Sequence, residues 1–304
     1  MKIILAGGTG FIGKALIQTL VGEGHRVVIL TRHAGKMKWM NKRFVTEIIW
    51  DGKHLGDWAK EFDGVDAVIN LAGESIAAKR WSAAQKKHII DSRISSTKAI
   101  VDAIRQANHK PSVLINASAV GYYGNVENGD VTESSPKGSG FLSDTCDQWE
   151  KEAREAEVLG VRVVILRFGV VLGEGGGALS KMIPPFKMFI GGPLGSGRQW
   201  FPWVHREDVT GVIHFALINT KLSGPVNVTA PDSVNMKQFC KQLGKAMGRP
   251  SWAPVPAFAL KLMLGEMSEM LLTGQKAVPK KLSENGYSFY YPSLEEALKK
   301  LRSL

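Results

Sequence analysis

Ala6-Gly7-Gly8-Thr9-Gly10-Phe11-Ile12-Gly13 is the stretch on which the reading of this chain turns. Before it lies the short apolar run Lys2–Ala6, one strand long. After it, residues 11–21 repeat apolar side chains at helical spacing. Glycines in a strand-to-helix turn are the setting in which a backbone cradles a dinucleotide phosphate. Gly7 permits the tight turn, Gly10 lets the backbone approach a pyrophosphate, and Gly13 lets helix and strand pack closely. The helix N-terminus then turns amides and the positive end of its dipole toward the phosphates. Thr9, Phe11 and Ile12 complete the candidate cradle.

Outward from this turn, strand and helix alternate. Residues 26–31, 44–50, 67–71, 113–118 and 161–168 read as strands, and 82–108 and 143–159 as helices. Residues 121–140, rich in Gly, Asn, Asp, Ser and Pro, read as a loop. Strands separated by helices need crossover connections, hence a parallel sheet covered on both faces. The expected fold is α/β: a Rossmann doubly wound parallel sheet with a smaller C-terminal α/β substrate-side part. The expected division is a dinucleotide-binding domain over 1–168 and a smaller domain over 169–304, with later segments free to rejoin the sheet. In that second part, residues 178–189, 206–218, 236–247, 257–272 and 294–301 read as helices.

Composition narrows the class. The 304 residues are 44% hydrophobic and 22% charged, which excludes a disordered chain. No apolar stretch approaches the length of a membrane span, and the first residues lack the apolar core of a signal peptide. Two cysteines, Cys146 and Cys240, fit no metal spacing and point to a reducing, cytoplasmic setting. The net charge of +11 is unevenly spread: residues 1–160 carry 21 basic and 19 acidic side chains, residues 161–304 carry 18 and 9. No aromatic ladder accompanies the basic residues. They read as solvated helix faces, with neither nucleic acid nor membrane expected as a partner.

The G-x-x-G-x-x-G spacing resembles the extended short-chain dehydrogenase/reductase superfamily, as do Asn70-Leu71-Ala72-Gly73 and residues 203–209. Asn70–Glu74, Ser92-Arg93, residues 169–179, 191–197 and 201–205 narrow the resemblance to one atypical branch, the epimerase family proteins (NAD-dependent epimerase/dehydratase-like). That resemblance runs nearly end to end and implies an NADP-dependent oxidoreductase. It also places Asp51 near an adenine ring and Leu71, Ala72 and Gly73 beneath the adenosine and diphosphate. Arg93 falls on the cofactor-side helix, and Val170 and Val171 fall against the nicotinamide.

The residue after the second strand discriminates between cofactors, because an acid there accepts from the adenosine ribose and repels a 2′-phosphate. This chain has Thr31-Arg32 instead, a hydroxyl and a planar cation suited to phosphate, so NADP is the expected cofactor. The superfamily's proton-transfer pair, Tyr-x-x-x-Lys, is absent: none of the residues four after the five tyrosines is lysine. In register, Leu142 and Cys146 occupy those positions. Ser118 and Tyr122 remain as the candidate catalytic residues, with His205 as an alternative proton donor. Phe201 stands where sugar-nucleotide epimerases often carry arginine, which argues against a nucleotide-sugar substrate. Two functions follow: reduction of a small carbonyl (or oxidation of an alcohol) of unknown identity, or non-catalytic NADP(H) binding in a regulatory protein, a role the resemblance links to cell division.

Overall fold

The computed structural model describes residues 1–33, 35 and 43–301. The first half runs β1 (Lys2–Ala6), α1 (Phe11–Gly22), β2 (Arg26–Thr31), β3 (Val45–Ile49), β4 (Ala67–Asn70), α2 (Ala83–Gln106) and β5 (Val113–Ala119). Then come β6 (Val126–Val131), α3 (Phe141–Arg154), β7 (Arg162–Phe168), β8 (Val170–Leu172) and α4 (Leu179–Lys187). The remainder is β9 (Trp200–Phe201), β10 (Trp203–His205), α5 (Arg206–Ile218), β11 (Gly224–Val228), β12 (Val234–Asn235), α6 (Met236–Met247), α7 (Ala257–Leu264), α8 (Glu269–Leu272), β13 (Gln275–Ala277), α9 (Lys280–Glu284) and α10 (Leu294–Lys300).

Seven strands form one parallel sheet in the order β11-β7-β5-β4-β1-β2-β3. Strands such as Ile3–Ala6 are apolar without alternation because both faces are buried. One face packs on α1 and α5 through Leu16, Leu20, Val209, Val212 and Ile213. The other packs on α2 and α3 through Ile100, Ala103, Ile104 and Ala153. Chain direction across the sheet reverses between β1 and β4, which opens a crevice at their C-terminal ends, beside Gly7. A third core, built on Trp203, Phe186, Phe239 and Leu243, holds the C-terminal part together.

Two expectations are corrected. Residues 126–131, expected inside a loop, form β6, which pairs in parallel with the distant β13. The helix expected over 257–272 breaks at Gly265, whose φ of 61° leaves the helical region. After the excursion through β8–β10, β11 returns to the main sheet as the neighbour of β7, a return that the sequence reading left open.

Candidate functional site

The turn after β1 is tight because Gly7 has φ +80° and lies against the strand-end wall: a Cβ there would sit 2.6 Å from the Leu71 carbonyl carbon and oxygen. Gly13 meets the loop itself, since its Cβ would fall 2.4 Å from the Gly7 oxygen and 2.6 Å from Gly8 Cα. The close packing it allows is therefore between helix and turn. Gly10 differs: only the Gly7 oxygen, at 3.2 Å, approaches its Cβ position. Gly10 also caps α1 without any side-chain hydrogen bond, and the first turn holds no acidic residue. Helix amides left without a side-chain cap suit an anion, and a phosphate is the anion this geometry fits.

Beside this cradle the wall is fixed from beneath. Leu71 N–H donates to the Ala6 carbonyl (2.9 Å) and Ala72 N–H to Asn70 Oδ1 (3.1 Å). Asn70 is itself locked, donating to Thr97 Oγ1 and Asn116 Oδ1. Trp149 also donates to Thr97, so its indole forms a rigid platform under Arg93, 5.1 Å from the ring centroid. Arg93 lies against Gly73, bonds the Ile89 carbonyl, and has no carboxylate within ion-pairing distance among the described residues. Burial pushes its pKa down. Desolvated and unpaired, this cation on the cleft wall suits an anion.

At the far end of the crevice, Thr31 is buried, its hydroxyl held by the His33 backbone. Arg32 is exposed and shares an open depression of about 540 Å³ with His33, Ile49, Trp50, Asp51 and His54. Asp51 is partly committed: Oδ1 accepts from the Lys53 and His54 backbone amides, and Oδ2 pairs with His54 Nδ1 at 2.5 Å. Those bonds, the His54 amide above all, hold its pKa at about 2.

Phe11 lies on the outer side of the turn. Gly173, Gly176 and Gly177 pack on its ring, and the Arg206 guanidinium stacks over it at 4.8 Å. Its side chain clasps the two parts of the molecule together, leaving the backbone for a ligand. Ile12 packs into the α1 core. Val170 and Val171 lie on β8, half-buried and paired with β10.

Ser118 and Tyr122 meet a network that the sequence did not disclose. Ser118 is buried and donates to Glu150 Oε1 (2.7 Å). Glu150 receives two bonds from Arg167, at 2.8 and 2.7 Å, with the side chains only 4% and 3% exposed. Arg167 also donates to the Tyr123 hydroxyl, which donates to Asn227 on β11. Burial opposes the Arg167 charge, but Glu150 more than offsets it and holds the guanidinium above its ordinary pKa. Tyr122 is half-buried, with its ring 3.5 Å from that guanidinium. Among the described residues no partner bonds its phenol. Arg167 could have been flagged from sequence, because it is a lone charge inside the apolar run VVILRF.

The remaining candidates are structural. Burial pushes the Cys146 thiol up to about 11, so it is not a nucleophile at neutral pH. His205 is buried; its Nδ1 accepts from the Glu207 amide and so caps α5, and its ring packs on Tyr291. Burial lowers its pKa to about 4, which removes the imidazolium needed for proton donation near pH 7. Phe201 packs on Phe239 inside the C-terminal core.

A parallel sheet with an anion-ready glycine turn at its switch point defines a dinucleotide-binding protein of the Rossmann class. The chain belongs to the NAD dependent epimerase/dehydratase family, which matches residues 3–229; residues 255–301 match a domain of unknown function, DUF1731. It is similar to the epimerase family protein YfhF of Bacillus subtilis, 44% identical over 302 residues and covering 99% of this chain and 98% of that one. The chloroplastic SDR39U1 homolog of Arabidopsis thaliana is also 44% identical, over 98% of this chain and 86% of its own length. The crystal structure of human epimerase family protein SDR39U1 (isoform 2) with NADPH superposes with a TM-score of 0.89 at 35% identity, over 100% of this chain and 99% of that one.

Proposed function

We propose that the chain binds NADP(H) and uses it to reduce a small carbonyl compound or oxidise the corresponding alcohol. The observation that carries the reading is the uncapped glycine turn, open at Gly10 and facing the Leu71–Gly73 wall, with Arg32 rather than an acid after β2. The similar human protein, solved with NADPH, supports the choice of cofactor. In this reading the amides of α1 bind the diphosphate, Arg93 faces its charge, and Arg32 takes the 2′-phosphate. NADPH, when bound, supplies a hydride. Tyr122 offers the proton from a phenol left unbonded among the described residues, while Arg167 beneath the ring fixes its orientation. Ser118 is a positioning residue, because its hydroxyl is committed to Glu150.

A titration of both cofactors tests this. NADPH should bind more tightly than NADH. Arg32→Glu should cost NADPH roughly 10–100-fold, the worth of a charge-assisted contact turned repulsive. Equal wild-type affinities would remove Arg32 from the argument. A screen of carbonyl compounds followed by NADPH absorbance then tests turnover.

The second reading, a non-catalytic NADP(H)-binding regulatory protein, is favoured by one observation. Ser118 is turned away into the buried ion pair, and the register that the resemblance implies puts Leu142 and Cys146 at the positions of a proton-transferring pair. Tight NADPH binding with no oxidation across the screen would select it.

A further inference from the structure

The charge imbalance of the C-terminal half has a location. Residues 175–206 hold four Lys/Arg and residues 233–265 hold five, and neither segment contains a single Asp or Glu. On α6, Lys237, Lys241 and Lys245 recur every fourth residue, and all three are exposed, forming one basic stripe along the helix. Among the described residues Lys237 and Lys241 form no ion pair, while Lys245 pairs with Glu295 at 3.5 Å, and that pair is itself exposed. The stripe leads through the helix end at Gly248 to Arg249.

Arg249 stands over an apolar knob. Its guanidinium stacks on Phe189 at 4.5 Å, and Trp252 donates its indole N–H to the Phe189 carbonyl. Met188, Phe189, Ile190 and Trp252 are 61, 52, 51 and 67% exposed, an adjoining group of large apolar side chains in water. Phe189 has φ +62° and is the one non-glycine residue with positive φ among the described residues. A bulky side chain in that region is strained, and such strain tends to persist where function uses it. Next in sequence, α7 buries only Leu260 and exposes Phe258, Leu262 and Met263. Seven of the thirteen exposed large apolar side chains among the described residues therefore lie in 188–190 and 252–263.

We infer that this face docks onto an anionic membrane surface, with Phe189 and Trp252 entering the interface and the α6 stripe meeting lipid phosphates. Charge decides the occupant. A second copy would oppose its own unneutralised cations, whereas a bilayer of acidic lipids neutralises them. Aromatic and aliphatic tips rimmed by Lys and Arg match the headgroup boundary, where apolar burial and charge attraction add. No helix among the described residues is long and apolar enough to cross a membrane, and surface docking requires none. The sequence expectation of no membrane partner took the basic residues as solvated helix faces and found no span; the exposed apolar and basic surface departs from it.

Vesicle co-sedimentation tests the inference, using phosphatidylcholine alone and phosphatidylcholine mixed with phosphatidylglycerol. The wild type should bind the mixed vesicles, release at high salt, and leave pure phosphatidylcholine unbound; Trp252 emission should shift to the blue on binding. Phe189→Gly with Trp252→Ser, and separately Lys241→Glu with Arg249→Glu, should each weaken binding by about tenfold or more. Unchanged thermal unfolding shows that the variants fold, and Phe189→Gly relieves backbone strain rather than adding it. Absence of binding to mixed vesicles overturns the inference, as does binding that neither variant weakens. Dimerisation in sedimentation velocity that Phe189→Gly/Trp252→Ser abolishes assigns the face to a second copy and overturns it. Binding to an acidic polypeptide that exceeds vesicle binding assigns it to a protein and does the same.

Discussion

Two glycines of one helix should respond oppositely to alanine. At Gly13 the added Cβ would lie 2.4 Å from the Gly7 oxygen, 2.6 Å from Gly8 Cα and 2.8 Å from the Gly8 carbonyl carbon, all backbone atoms. Ordinary contact begins near 3.5 Å, so the overlap is about 1 Å and no flexible side chain can yield. Overpacking of this kind costs roughly 1–3 kcal/mol. The better helix propensity of alanine returns at most about 1 kcal/mol. Sterics win, and Gly13→Ala should destabilise by about 1–2 kcal/mol. At Gly22, near the other end of α1, nothing lies within 4 Å of the Cβ position. Propensity acts there unopposed, and Gly22→Ala should stabilise by roughly 0.5–1 kcal/mol. Urea denaturation with unchanged m-values measures both. NADPH titration should show lost affinity for Gly13→Ala alone, because displacing α1 moves the amides that face the phosphates. If Gly13→Ala proves as stable as Gly22→Ala, the turn is not packed as described and the cradle argument fails with it.

Glu150→Ala should destabilise by about 3–5 kcal/mol in urea, since it strands a buried guanidinium, whereas Ser118→Ala should cost about 1 kcal/mol; equal costs would deny the ion pair its place. His205 has a folded pKa below its unfolded one, so its contribution is full above about pH 6.5 and is lost as pH falls toward 4. His205→Asn, which retains a capping side chain, should flatten the stability profile between those pH values by up to about 3 kcal/mol; an unchanged profile would show the imidazole to be solvated. Tyr122→Phe should lower turnover on a verified substrate by roughly 10²–10⁴-fold while leaving NADPH affinity unchanged, and full turnover in that variant would pass the proton transfer to solvent.

The nucleotide-side architecture was legible because its signals are local. Two-sided burial makes apolar strands, helical spacing marks α1 and α5, and the glycine turn needs only eight consecutive residues. Residues 206–218 and 236–247 were placed to the residue for the same reason. β6 was not legible: VENGDV is polar and exposed along most of its length, and only its pairing with β13, far along the chain, makes it a strand. Gly265 hid inside an apolar helical pattern because positive φ has no periodic signature. At the site, the positions of Ser118 and Tyr122 were readable from the end of β5. What they touch was not, since Glu150, Arg167 and Asn227 come from three other elements, and partner choice between distant polar side chains leaves no local trace. Thr97 and Trp149, which brace the wall from α2 and α3, escaped for that reason too.

The return of β11 to the main sheet has a consequence for how the molecule forms. Val164 on β7 pairs with Gly224 only after the chain has passed through β8, α4, β9, β10 and α5. Pairing of this kind has high contact order, and its loop-closure entropy is spent before the contact is gained, which slows folding. During synthesis the first six strands of the sheet emerge with β7 as an open edge, and with one face of α1 awaiting the apolar side of α5. A nascent chain ending near residue 168 therefore exposes both an unpaired strand and an apolar helix face. That interval, rather than the finished protein, is where aggregation threatens and where a chaperone has most to protect.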